Sequence, residues 1–106
     1  MAEHIYGNTG IKQKVIEEIR QIAQNCNVEF VILFGSRARG DFKTRSDIDL
    51  AVCGGKTDEF MLAVDEKTST LLKFDIVDMR ASIQRELLES IKKEGRLLYE
   101  KVLKFL

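Results

Sequence analysis

The chain has 106 residues, and its 17 Lys and Arg residues are balanced by 17 Asp and Glu, for no net charge at neutral pH. That length builds one domain around one core and leaves nothing for a second. The balance excludes a bulk electrostatic attraction to nucleic acid or to a membrane surface. No segment reads as a signal peptide, and none approaches the roughly 18 consecutive apolar residues of a membrane helix. Cys26 and Cys53 adjoin apolar runs without metal-like spacing and read as free thiols of a reducing compartment. The expectation is a single cytoplasmic domain over residues 1–106, its core at about 10–99.

In chain order, residues 1–10 are short, polar and glycine-containing, and His4, the only histidine, has no acid or cysteine at ligand spacing. Ile11, Val15, Ile19 and Ile22 then recur at helical spacing, widened by Ile16 and Ala23, which predicts an amphipathic helix packed on a sheet and closed by Asn25 and Asn27. Val28 to Phe34 is a β-rich apolar run ending at Gly35-Ser36, where a missing Cβ lets backbone amides approach a ligand. A turn of that kind leading into a short helix is an anion site. Arg37, Arg39, Lys43 and Arg45 follow, opposed only by Asp41.

Asp47 and Asp49 alternate with Ile48, Leu50 and Val52, the pattern of a half-buried strand. Residues two apart on a strand share a face, so the two acids stand roughly 7 Å apart at their α-carbons. Their repulsion is relieved by a cation, and an oxygen-only donor set fits magnesium, which borrows further ligands from a substrate's phosphates. Basic groups beside such a pair fit a nucleoside triphosphate with its metal.

Gly54-Gly55 makes a turn, and Thr57 is the expected cap of a helix running through Phe60, Met61, Val64, Thr68, Leu71 and Leu72, whose apolar positions read as core. Lys73 to Asp78 is a third strand. Its alternation leaves open which acid joins the pair, since Asp75 and Asp78 point to opposite faces and Asp78, at the strand's end, suits a turn-capping role. Ser82 is the expected cap of a last helix carrying Ile83, Leu87, Leu88 and Ile91, with Gly95 ending it. Arg96 to Tyr99 fits a short edge strand, and Lys101 to Leu106 a final turn or helix. This apolar tail either joins the chain's own core or docks another subunit. The fold class expected is α/β (α+β): a small mixed sheet covered by helices in the order αβ(α)βαβα, with a possible final strand.

Gly35-Ser36, ten intervening residues and Asp47-Ile48-Asp49 resemble the signature of the DNA polymerase β-like nucleotidyltransferase superfamily. The wording GSRARG followed by SDIDLAV is similar to that of its minimal branch, the MNT or MntA-type antitoxins encoded beside HEPN-domain proteins, and Phe74 to Asp78 resembles the strand carrying that branch's third carboxylate. The resemblance places the third acid at Asp75. It implies that Asp47, Asp49 and Asp75 hold two magnesium ions with ATP, and that Gly35 and Ser36 hold the β- and γ-phosphates. It also implies that Arg37, Arg39 or Arg45 neutralises developing charge and that Asp75 takes the proton of the attacking hydroxyl. It implies further a hetero-oligomeric partnership with a helical HEPN toxin, silenced by transfer of AMP to a tyrosine.

Two other functions fit the same residues. One is a binding antitoxin whose nucleotide site is vestigial; the other is the catalytic half of a two-chain transferase acting on a small hydroxylated molecule. Direct nucleic-acid binding through Arg37 to Arg45 is a poorer fit, because Phe42 is the sole aromatic among them.

Overall fold

The structure, a computed structural model, describes residues 7–102. His4 and the tail residues Leu103, Phe105 and Leu106 lie outside the described residues. The elements run α1 (Gln13–Asn25), β1 (Phe30–Phe34), α2 (Gly35–Arg39), β2 (Ile48–Cys53), α3 (Thr57–Lys67), β3 (Phe74–Asp78), α4 (Arg85–Glu94) and β4 (Arg96–Glu100). The strands form one mixed sheet in the order β3-β2-β1-β4. β1 pairs antiparallel with both β2 and β4, while β3 lies parallel to β2 and is reached through α3.

The alternation of β2 sorts the molecule into two sides. Ile48, Leu50 and Val52 are wholly buried with Val31 and Leu33 in the main core, against Ile16 and Ile19 of α1 and Phe60 and Val64 of α3. The other side is covered only in part. There Ala51 and Phe34 are buried with Ile91 of α4, and Ile32, Val77, Met79 and Leu87 pack at the margin. Fully burying a side chain such as Leu50 contributes about 2 kcal/mol, so the first side, with most of the buried side chains, supplies most of the fold's cohesion.

Helix boundaries depart from the sequence expectation at three places. Thr57 is the first helical residue of α3 and not its cap; its hydroxyl is turned back to donate to the Gly54 carbonyl at 3.2 Å. α3 stops at Lys67, where the Thr68 hydroxyl donates to the Val64 carbonyl at 2.8 Å, so Leu71 and Leu72 fall in an irregular segment. Leu72 is half-buried beside the main core, but Leu71, read as core from the sequence, is fully exposed. α4 begins at Arg85 after an extended Gln84, without a side-chain cap, which leaves Ser82 and Ile83 in the preceding loop. The final strand is present at the sheet edge with Leu98 buried, whereas Leu97 and Val102 stay exposed. Cys26 is a buried and Cys53 a half-buried free thiol. No helix among the described residues is long and apolar enough to cross a membrane.

Candidate active site

Sheet register brings the acids of two strands together. Asp49 lies directly opposite Asp75 in the parallel β2–β3 ladder and opposite Phe34 in the antiparallel β1–β2 ladder. Opposed residues share a face, so Asp75 points to the open side with Asp49. Asp47, two residues earlier and immediately before β2, is exposed on that same side. Asp78 is aligned with Val52, and its carboxylate accepts the Arg80 backbone N–H at 2.9 Å, the work of a turn residue.

Gly35 follows Phe34 and starts α2 with φ +75°. A Cβ at that position would collide with the Asp49 carboxylate. The backbone angle therefore favours glycine, and any larger residue would displace the acid that lies against it. The backbone N–H groups at the start of α2 consequently stand at the same sheet end as the carboxylates.

Electrostatics single out Asp49. Burial, then the neighbouring Asp75 and then Asp47 push its pKa from 3.8 up to about 6, and Arg39 and Arg37 pull it back only in part. None of the three acids forms an ion pair among the described residues. No three acidic, cysteine or histidine side chains there stand close enough to hold a metal ion as placed. Asp47 and Asp75 are both exposed, however, and their side chains are free to swing onto a shared cation. In donor type, and in their placement on one open face around a carboxylate whose charge Arg39 and Arg37 offset only in part, the three fit a hard dication such as magnesium.

The arginines have divergent surroundings. Arg37, expected at the triphosphate, is 1% exposed, and its guanidinium is committed to the chain's own backbone. It donates to the carbonyls of Ser46 at 3.0 Å, Thr9 at 2.9 Å, Thr44 at 3.1 Å and Lys43 at 3.4 Å, and lies over the Phe42 ring at 4.7 Å. The loop between α2 and β2 has few backbone partners of its own, so its carbonyls take this buried donor, and Arg37 becomes the strut that sets the approach to Asp47. Arg39 is exposed and paired with Asp41 and with Glu94 of α4, each at 3.1 Å. Arg45 lines a groove of about 590 Å³ with Asp47, Leu71, Leu72 and Lys73. Sequence reasoning overlooked Lys73 in this setting, although its place two residues before Asp75 was a usable signal.

The model of the family described as polymerase beta, nucleotidyltransferase, matches residues 17–102. The chain belongs to that family. A protein of Methanocaldococcus jannaschii named as a protein adenylyltransferase is 35% identical over 82 residues, covering 68% of this chain and 79% of that protein. Among solved structures, a toxin-antitoxin with AMP-PNP superimposes with a TM-score of 0.62 at 24% identity, covering 81% of this chain and 73% of its own. The MntA-HpeT toxin-antitoxin, in a variant with two aspartates replaced by glutamates, gives 0.64 at 21% identity over the same shares. These two establish a likeness of fold. The chain is thus a nucleotidyltransferase enzyme on a polymerase β-like fold.

Proposed function

We propose that this nucleotidyltransferase transfers AMP from ATP to a tyrosine hydroxyl of a HEPN-domain toxin and thereby acts as its antitoxin. The observation that carries the reading is the register that sets Asp75 opposite Asp49 on the open face, with Asp47 beside them and Gly35 against the Asp49 carboxylate. It is supported by the named activity of the archaeal relative, and by the AMP-PNP and toxin partners of the structural neighbours. ATP and free thiols both fit a cytoplasmic setting.

Asp47, Asp49 and Asp75 would hold magnesium, two ions in the full site, and bound magnesium supplies charge neutralisation for the phosphates. The chain's own groups do the rest. Gly35 and Ser36, at the start of α2, offer donors to the β- and γ-phosphates at the β1 side of the acids. The acceptor hydroxyl approaches from the β3 side, where Asp75 takes its proton as the oxygen bonds to the α-phosphorus. The bond from that phosphorus to the bridging oxygen breaks, and pyrophosphate leaves toward α2. Arg39 reaches Asp49 electrostatically and is the arginine we assign to the developing charge. Arg37 acts indirectly by holding the loop, and Arg45 stands at the groove.

The test uses the chain, its HEPN partner, magnesium and ATP labelled at the α-phosphate. Label should appear on a partner tyrosine, identified by mass spectrometry, and Asp47→Asn or Asp49→Asn should reduce it about a thousandfold. A toxin silenced equally well by both variants, with no label transferred, would replace this reading with inhibition by contact alone.

A further inference from the structure

The face of the site on the β3 side holds a feature that nucleotide binding does not use. Glu18 of α1 accepts the Ser69 N–H at 2.8 Å and the Ser69 hydroxyl at 2.6 Å, and the Thr70 hydroxyl accepts the Leu72 N–H at 3.1 Å. These bonds pin the α3–β3 segment. Between them Leu71 stands fully exposed, an apolar side chain held out on a fixed turn. It forms a wall of two adjoining grooves. One, of about 590 Å³, is lined by Arg45, Asp47 and Lys73; the other, of about 360 Å³, by Ile11, Lys12 and Val15 at the start of α1. Arg45, Lys73 and Lys12 form no ion pair among the described residues. The surface is therefore an aliphatic ridge with Arg45 and Lys73 on one side and Lys12 on the other, and its larger groove reaches one acid of the site, Asp47, which the two cations there outnumber.

Its position decides its occupant. In-line displacement requires the nucleophile opposite the leaving pyrophosphate. With α2 at the β1 side of Asp49, the nucleophile enters past β3, where Lys73 and Leu71 lie. We propose that the Leu71 ridge is the docking site for the protein segment that carries the acceptor hydroxyl, and that it selects a segment with an apolar residue and carboxylates flanking the tyrosine. The inference rests on the transfer reading above and adds to it the sequence class of the acceptor. The cations supply complementarity to Asp and Glu, and the ridge supplies an apolar anchor. Single-stranded nucleic acid is the poorer occupant, because the walls offer leucine, isoleucine and valine and no aromatic ring for base stacking.

The experiment uses short fluorescent tyrosine peptides flanked by Glu and Leu or by Lys and Leu, with an oligonucleotide of similar length, titrated into the intact chain by anisotropy. The acidic peptide should bind about tenfold or more tightly than the basic one. Leu71→Ser and Lys73→Glu should each weaken it about tenfold, with the unfolding midpoint of the Leu71→Ser chain unchanged. Equal binding of both peptides, preference for the oligonucleotide, or indifference to both substitutions would overturn the proposal. The same peptides are then offered with labelled ATP and magnesium. An acidic peptide that binds with the stated dependence but accepts no label leaves the docking surface standing and refutes tyrosine transfer instead.

Discussion

The two faces of β2 differ more than any other pair of surfaces in the molecule. Ile48, Leu50 and Val52 point into a core closed by α1 and α3, while Asp49, Ala51 and Cys53 point to a side that α4 closes only over Ala51. One strand of six residues thus alternates cohesion and chemistry. The physical consequence is separability: the period of two assigns stability to one set of positions and the proposed chemistry to the other. Gly35 breaks the symmetry in the same sense, since it lies against Asp49 and contributes nothing to either cluster of buried side chains.

The sharpest way to break that comparison is to cut into the closed face beside the reactive acids. Leu50→Ala, flanked by Asp49 and Ala51, should cost about 3 kcal/mol by denaturant titration, the range for a fully buried leucine whose cavity does not collapse. Turnover per folded molecule should stay within about twofold of the parent, because a side chain aimed at α1 and α3 does not touch the acids. A large loss of turnover with little loss of stability would show the two faces to be coupled and the separation false.

What could be read from the sequence follows the same division. The alternation at Asp47 to Val52 predicts β2 and the shared face of its two acids, and the apolar spacing from Ile11 to Ala23 predicts α1, because both patterns are set by local periodicity. The partner of Asp49 could not be read this way: alternation leaves Asp75 and Asp78 open, the resemblance alone points to Asp75, and the β2–β3 register that sets Asp75 opposite Asp49 is a tertiary property. Arg37 was illegible for a similar reason. Nothing local tells an arginine that binds phosphate from one that satisfies three carbonyls of the loop between α2 and β2 and that of Thr9 ahead of α1, and only the packing of those two segments decides it. Leu71 misleads in the opposite direction: at helical spacing it reads as core, but the Thr68 hydroxyl and the Ser69 contacts end the helix a turn too soon.

A smaller effect should follow from adding one carbon to the open face. Gly35→Ala places a non-glycine residue at φ +75° and drives its Cβ into the Asp49 carboxylate. Strain of about 1–2 kcal/mol is expected in thermal unfolding. Displacement of Asp49 should lower AMP transfer about a hundredfold, the penalty of an ångström-scale misplacement. A variant that loses stability but keeps its turnover would show that Gly35 serves the backbone angle alone.

The smallest effect has the most specific sign. Asp49 is held at a pKa of about 6 in the folded chain against 3.8 ordinarily, so between those values the folded state binds the extra proton. Its contribution to stability is therefore complete below about pH 4, declines as pH rises through about 6, and is absent above that, the reverse of a salt-bridged carboxylate. Removing the charge should reverse the penalty: Asp49→Asn, without divalent cations, should be about 1 kcal/mol more stable than the parent at pH 8, a value reduced for the partial exposure of the site. At pH 4 the difference should vanish. Magnesium at pH 8 should then raise the unfolding midpoint of the parent and leave that of Asp49→Asn nearly unmoved, because only the parent offers the full acid set to stabilise through binding. A difference between the parent and Asp49→Asn that stays flat from pH 4 to 8 would mean that neither burial nor Asp75 and Asp47 press on Asp49, and the open face would lose its claim to be a cation site.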